Sequence, residues 1–125
     1  MGSSALTSQA MAIYRASAQR RSQSTQRQII RRRQRAWLLA HQAADLLKQN
    51  FAAEKVAVFG SLLCPWFSLN SDIDLAVWGI APQSDWSAVA QLQDIDSDFK
   101  IDLVDMSYCP DSLKAAIAQT GQVLS

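Results

Sequence analysis

Between residues 25 and 50, apolar side chains recur at three- and four-residue steps: Trp37, Ala40, Ala44 and Leu47, then Phe51. That spacing predicts one amphipathic helix, because such positions share a face and form a single buried stripe. Ile30 extends the stripe backward, Arg27, Arg31 and Arg35 lie four apart on another face, and Asn50 marks a stop. The period then changes. Val56-Ala57-Val58-Phe59 is a short apolar run ending at Gly60, as expected for a buried strand. Residues 62–71 contain Pro65 and close in Ser68-Leu69-Asn70-Ser71, which predicts a loop. From Asp72 to Trp78 acids alternate with Ile73, Leu75 and Val77, a period of two and so a second strand. Gly79 to Gln83 breaks it. Ser84 is placed to cap a helix with Asp85 in its first turn and Trp86, Val89 and Leu92 on its buried side. Lys100 to Met106 reads as a third strand. Pro110 opens a last helix running to Thr120, Gly121 stops it, and Gln122-Val123-Leu124 adds a short final strand. The order predicts an α/β (α+β) fold: a small mixed sheet flanked by helices, led by a long basic N-terminal helix.

At 125 residues, nearly half of them apolar, the chain suits one domain with a substantial core. Residues 1–24, rich in Ser, Gln and Ala, read as a flexible or helical arm, and residues 25–125 as the domain proper. Met1-Gly2-Ser3-Ser4 has the look of a non-native leader, with Met11 as an alternative start, so residues 1–10 carry no functional weight. No apolar run reaches the roughly 18 residues of a membrane span, and no secretory signal is seen. A cytoplasmic location is expected, with Cys64 and Cys109 as reduced thiols packed like small hydrophobes. One histidine, His41, without acids nearby builds neither a zinc site nor a triad.

Charge changes the picture. The net charge of +1 hides eight arginines and no acid in residues 1–40, against four lysines and eleven acids in residues 41–125. A basic arm of +8 precedes a body of −7, which points to partners for the arm that the total conceals. Arg27, Arg31, Arg32, Arg33 and Arg35 are the candidate partner-binding residues, with Arg33 nearest the apolar stripe.

The candidate chemistry lies in the body. Asp72 and Asp74 flank Ile73, and on a strand i and i+2 point to one face. Two anions held together repel unless a cation lies between them, and a hard divalent ion such as Mg²⁺ or Mn²⁺ takes oxygen ligands. Asp102 lies in another apolar strand. If the two strands are neighbours, three carboxylates converge in a set suited to metal-assisted phosphoryl or nucleotidyl transfer. Gly60 permits a tight turn and close approach to a phosphate, and the Ser61 hydroxyl with the following N–H groups can bond its oxygens. Asp105, three residues beyond Asp102, faces the other way on a regular strand. Asp94, Asp96 and Asp98 read as a solvated turn.

Gly60-Ser61, ten residues, then Asp72-Ile73-Asp74, framed by Val-Phe-Gly-Ser and Ser-Asp-Ile-Asp-Leu-Ala-Val with Lys-Ile-Asp-Leu-Val-Asp downstream, resembles the signature of the minimal nucleotidyltransferases. These are the small antitoxin partners of HEPN ribonuclease toxins. The resemblance covers residues 38–124 and implies a polymerase-β-like palm. It further implies that Ser61, with Gly60, contacts nucleotide phosphate, that Asp72 and Asp74 bind Mg²⁺, and that Asp102 completes the metal site and helps activate the attacking hydroxyl. The implied activity is transfer of AMP from Mg-ATP to a tyrosine hydroxyl of a cognate HEPN toxin, within a hetero-oligomer. Many relatives place Arg or Lys shortly after the Gly-Ser pair. Here Leu62-Leu63-Cys64-Pro65-Trp66-Phe67 is uncharged, so phosphate neutralisation falls to metal, backbone amides or a partner chain. Two other classes stay open: a non-catalytic antitoxin that inhibits its toxin by stoichiometric binding, and a nucleic-acid module using the arginine-rich helix, whose affinity would fall steeply with salt.

Overall fold

The computed structural model describes residues 7–124, without the side chains of Thr7 and Ser8; the Met1–Ser4 segment, expected to be a leader, lies outside the described residues. Helix α1 spans Thr7–Phe51, 45 residues, or roughly 67 Å at 1.5 Å per residue. It runs through residue 24 without a break. From residue 9 to residue 28 it is largely exposed, and from Ile29 onward one side packs on the body. The packed stripe is Ile29, Ala36, Leu39, Ala40, Ala43, Ala44 and Leu47. Ile30, expected on that stripe, is exposed; the neighbouring Ile29 takes the inward position because the stripe follows the helix rotation that Ala36 and Ala40 define. The helix ends at Phe51, one residue past Asn50, where Ala52 takes a left-handed φ of 55°.

Four strands follow: β1 (Lys55–Phe59), β2 (Ile73–Trp78), β3 (Ile101–Asp105) and the short β4 (Gln122–Val123). Their order is β3-β2-β1-β4. β1 is antiparallel to β2 and β4, whereas β2 and β3 run parallel. A parallel pair needs a crossover, and α2 (Asp85–Gln93) supplies it. Helix α3 (Asp111–Thr120) precedes β4.

The alternation of each strand separates two faces. Val56, Val58, Ile73, Leu75, Val77 and Ile101 meet α1 and α2 with Leu47, Ala88 and Leu92 in the main core. The other face carries a smaller cluster, Ala76, Met106, Cys109 and Ile117 of α3, with Phe59, Trp78 and Val104 beside it. Trp86, expected to be buried, is 87% exposed. α2 is rotated so that Ala88 and Leu92 face the sheet, because a small residue lets the helix lie close. Ser84 occupies the N-cap position but makes no side-chain cap bond; the 3₁₀ turn Pro82–Ser84 leads into the helix instead. Among the described residues no helix is long and apolar enough to cross a membrane.

Candidate active site

The second face of the sheet gathers the candidate acids at one end. In register, Phe59 of β1 is opposite Asp74 of β2, and Asp74 is opposite Asp102 of β3. Neighbouring strands lie about 4.8 Å apart, so the two carboxylates stand side by side. Asp72 immediately precedes β2, and its charge also acts on Asp74. Burial, then the charges of Asp102 and Asp72, push the Asp74 carboxyl above the ordinary range, and Lys100 opposes them weakly. Lys100 Nζ lies 3.6 Å from Asp102 Oδ1, with both side chains substantially exposed. Such a pair contributes little in water.

β1 hands the chain directly to the phosphate candidate. Gly60–Leu63 forms a 3₁₀ turn, entered by Gly60 at φ 76°. A Cβ there would strike Asp74 Oδ2 and lie 3.3 Å from Asp74 Cγ. The turn therefore rests against the central carboxylate, and only glycine permits both the backbone angle and the approach. Ser61 Oγ reaches the Asp72 carbonyl at 3.5 Å. Gly60, Ser61, Asp72, Asp74 and Asp102 thus meet at one corner of the sheet. Asp105 falls on the opposite face, where burial, then the neighbouring Asp105 carboxyl, raise the Asp85 carboxyl of α2.

The donor set tests the implied metal. All three side chains offer hard oxygen, and a divalent ion would relieve the crowding that raises Asp74. Among the described residues no three acids, cysteines or histidines close into a ready-made metal cage. Mg²⁺ commonly keeps water and phosphate oxygens as its other ligands, which an open carboxylate corner accommodates.

The arginines divide. Arg32 Nη2 donates to the Ser71 and Asp98 carbonyls at 3.2 and 3.3 Å, and its guanidinium sits 3.9 Å from the Phe99 ring centre. Arg33 donates to the Leu62 and Cys64 carbonyls. Arg35 pairs with Asp96 and, at 3.8 Å, with Asp98. Asp96 is therefore no solvated turn acid; hydrogen bonding from Arg35 holds it below the usual carboxylate range. Three of the five arginines assigned to a partner surface are turned onto the body, since the packed stripe continues through their side of α1. Arg27 and Arg31 remain exposed. The apolar segment after Ser61 also divides: Leu62 and Phe67 are core, and Trp66 is 72% exposed. Cys64 and Cys109 are both free. His41 is exposed, its ring 6.4 Å from that of Trp37. At the far end of the acid-bearing face, an open cleft of about 490 Å³ is lined by Lys55, Trp78 and Lys114 among others, away from the acids.

A four-stranded mixed sheet with paired acids beside a Gly-Ser turn defines a nucleotidyltransferase palm. The family model described as polymerase beta, nucleotidyltransferase matches residues 41–125, and the chain belongs to that family. It shares its fold with a chain of the complex of tri-AMPylated Shewanella oneidensis HEPN toxin with MNT antitoxin, at 24% identity and TM-score 0.56 over 72% of this chain and 71% of that one. It is similar to a chain of the toxin–antitoxin MntA–HepT at 25% identity and TM-score 0.56, over 71% of each. A toxin–antitoxin structure with AMP-PNP aligns at 23% identity and TM-score 0.58, over 68% of this chain and 72% of that one. Among curated proteins, none matches the chain.

Proposed function

We propose that this protein is an antitoxin that transfers AMP from Mg-ATP to a tyrosine hydroxyl of a cognate HEPN ribonuclease toxin and thereby neutralises it in the cytoplasm. The observation that carries this reading is the register of Asp74 opposite Asp102 beside the Ser61 turn. Family membership and the toxin–antitoxin complexes among structures of this fold support it. Residues 25–125 act as the transferase domain, and residues 1–24 as an arm.

In this reading Gly60 and Ser61 hold the nucleotide phosphates, and Asp72, Asp74 and Asp102 hold Mg²⁺ or Mn²⁺. The bound ion would neutralise charge that develops on the phosphate oxygens. Asp102, on the edge strand with its side chain 44% exposed, faces the incoming tyrosine and takes the hydroxyl proton. The tyrosine oxygen bonds to the α-phosphorus as the bond from that phosphorus to the β-phosphate bridging oxygen breaks, and pyrophosphate leaves. Intact-mass measurement of the neighbouring-gene toxin after incubation with this protein and Mg-ATP tests the reading. One or more AMP additions to tyrosine are expected with the wild type and none with Asp72→Ala/Asp74→Ala. Toxin inhibited at full strength by the double variant, with no mass gain in either case, refutes the catalytic reading in favour of stoichiometric binding.

A further inference from the structure

The loop behind Ser61 has no charge of its own, from Leu62 to Phe67. The fold brings one to it from α1. Arg33 Nη1 donates to the Leu62 carbonyl at 2.7 Å and Nη2 to the Cys64 carbonyl at 2.6 Å. The same guanidinium lies over the Phe67 ring, its carbon 5.0 Å from the centroid. All three contacts fall within the one loop that follows Ser61, and Leu62 and Phe67 anchor that loop in the core.

The chemistry of the contact is specific to arginine. A planar fork with diverging N–H groups can bridge two carbonyls and still stack on an aromatic ring, whereas an ammonium is a single point charge. The bonded carbonyls lie at the C-terminal end of the 3₁₀ turn, where peptide dipoles leave negative ends exposed and a cation is favourable. Hydrogen bonds from a cation also polarise the peptides that receive them, and chains of hydrogen-bonded groups strengthen one another.

We propose that Arg33 is the positioning residue of the nucleotide-phosphate turn: from behind the loop it fixes the Ser61 turn and brings in the positive charge that Leu62 to Phe67 lacks. The proposal rests on reading the Ser61 turn as the phosphate site, and it places the effect on ATP affinity rather than on the chemical step. Arg32 provides the control. It is the next residue on α1 and similarly half-buried, yet it grips the Ser71 and Asp98 carbonyls and not the Ser61 loop. Its loss reaches the site only through the segment leading to Asp72 and should weaken ATP binding less than loss of Arg33.

The test uses the full chain as wild type, Arg33→Met, Arg33→Lys and Arg32→Met, with Tm measured for each. Mg-ATP is titrated by calorimetry without acceptor, and AMP transfer to the toxin is followed across ATP concentrations. Arg33→Met is expected to raise Kd and KM for ATP about tenfold or more while kcat changes less than about threefold. Arg33→Lys should recover part of the affinity, and Arg32→Met should raise Kd several-fold less than Arg33→Met does. An ATP Kd in Arg33→Met no weaker than in Arg32→Met makes Arg33 merely structural and overturns the proposal. Should Arg33→Met fail to fold, Arg33→Lys decides: a wild-type Kd for ATP overturns it equally. A wild type that binds ATP in an Arg33-dependent way but transfers no AMP defeats the transferase reading and leaves this proposal standing. Transfer with an Arg33-independent KM does the reverse. A wild type that neither binds ATP nor transfers AMP overturns both.

Discussion

Replacing Gly60 by Ala adds one methyl group where β1 turns toward Ser61. At φ 76° an L side chain costs roughly 1–2 kcal/mol. The new carbon would also meet the Asp74 carboxylate, with Cγ at 3.3 Å, and Asp74 cannot retreat without leaving its place opposite Asp102. Overpacking of that kind costs about 1–3 kcal/mol. The sum is about 2–5 kcal/mol, which for a domain of this size lowers Tm by on the order of 10 °C. A displaced Asp74 should in addition reduce transfer roughly 100-fold, as a misplacement of about 1 Å commonly does. The two contributions separate in a double-mutant cycle. Asp74→Ala keeps only the Cβ, whose 3.5 Å separation from the added methyl is ordinary contact. Gly60→Ala should therefore cost about 1–3 kcal/mol less in the Asp74→Ala background. Urea unfolding of the four proteins, followed by circular dichroism, measures this. Equal costs in both backgrounds would show that the turn does not rest on Asp74, and a cost below about 0.5 kcal/mol would remove the left-handed turn as well.

Other perturbations follow from the same geometry. Asp85 Oδ1 and Asp105 Oδ2 are buried without hydrogen-bond partners, and burial followed by Asp105 raises the Asp85 carboxyl. A raised acid favours the fold while protonated, and that contribution is lost as pH rises through the folded pKa. Asp85→Asn should accordingly stabilise the protein at pH 7 and lose the gain at low pH, and urea midpoints at both pH values that show a pH-independent difference would contradict this. Neutralising Arg27 and Arg31 to Gln should leave Tm unchanged and slow association with the acceptor protein, most at low salt; stopped-flow rates that do not respond to the change would leave these residues as a solvated helix face. Leu47→Ala, at a fully buried position where α1 meets the sheet, should cost about 2–5 kcal/mol by equilibrium unfolding.

Periodicity was enough to read the strands and the packed part of α1 from the sequence, because side-chain direction within a helix or strand is a local property; it did not reveal the start of α1 at Thr7. The run Val56–Phe59 is β1 from its second residue, the alternation after Asp72 is β2, and Lys100–Met106 contains β3. The same local rule puts Asp102 on one face of β3 and Asp105 on the other. Which strand lies beside which is not local. The parallel pairing that sets Asp102 opposite Asp74 depends on α2 crossing over the sheet, and no spacing in the chain states that register. Helix rotation also escaped the pattern: Trp86 and Ile30 fit an apolar stripe on paper, yet the smaller Ala88 and Ala36 face the sheet because close approach buries more surface around them. The arginines carry the sharpest division. Their clustering was visible from the sequence as a basic arm, but a guanidinium is satisfied by whatever carbonyl or carboxylate it can reach. Only the packing of α1 against two loops decided that Arg32 and Arg33 reach loop carbonyls and that Arg35, still exposed, pairs with Asp96, while Arg27 and Arg31 face water.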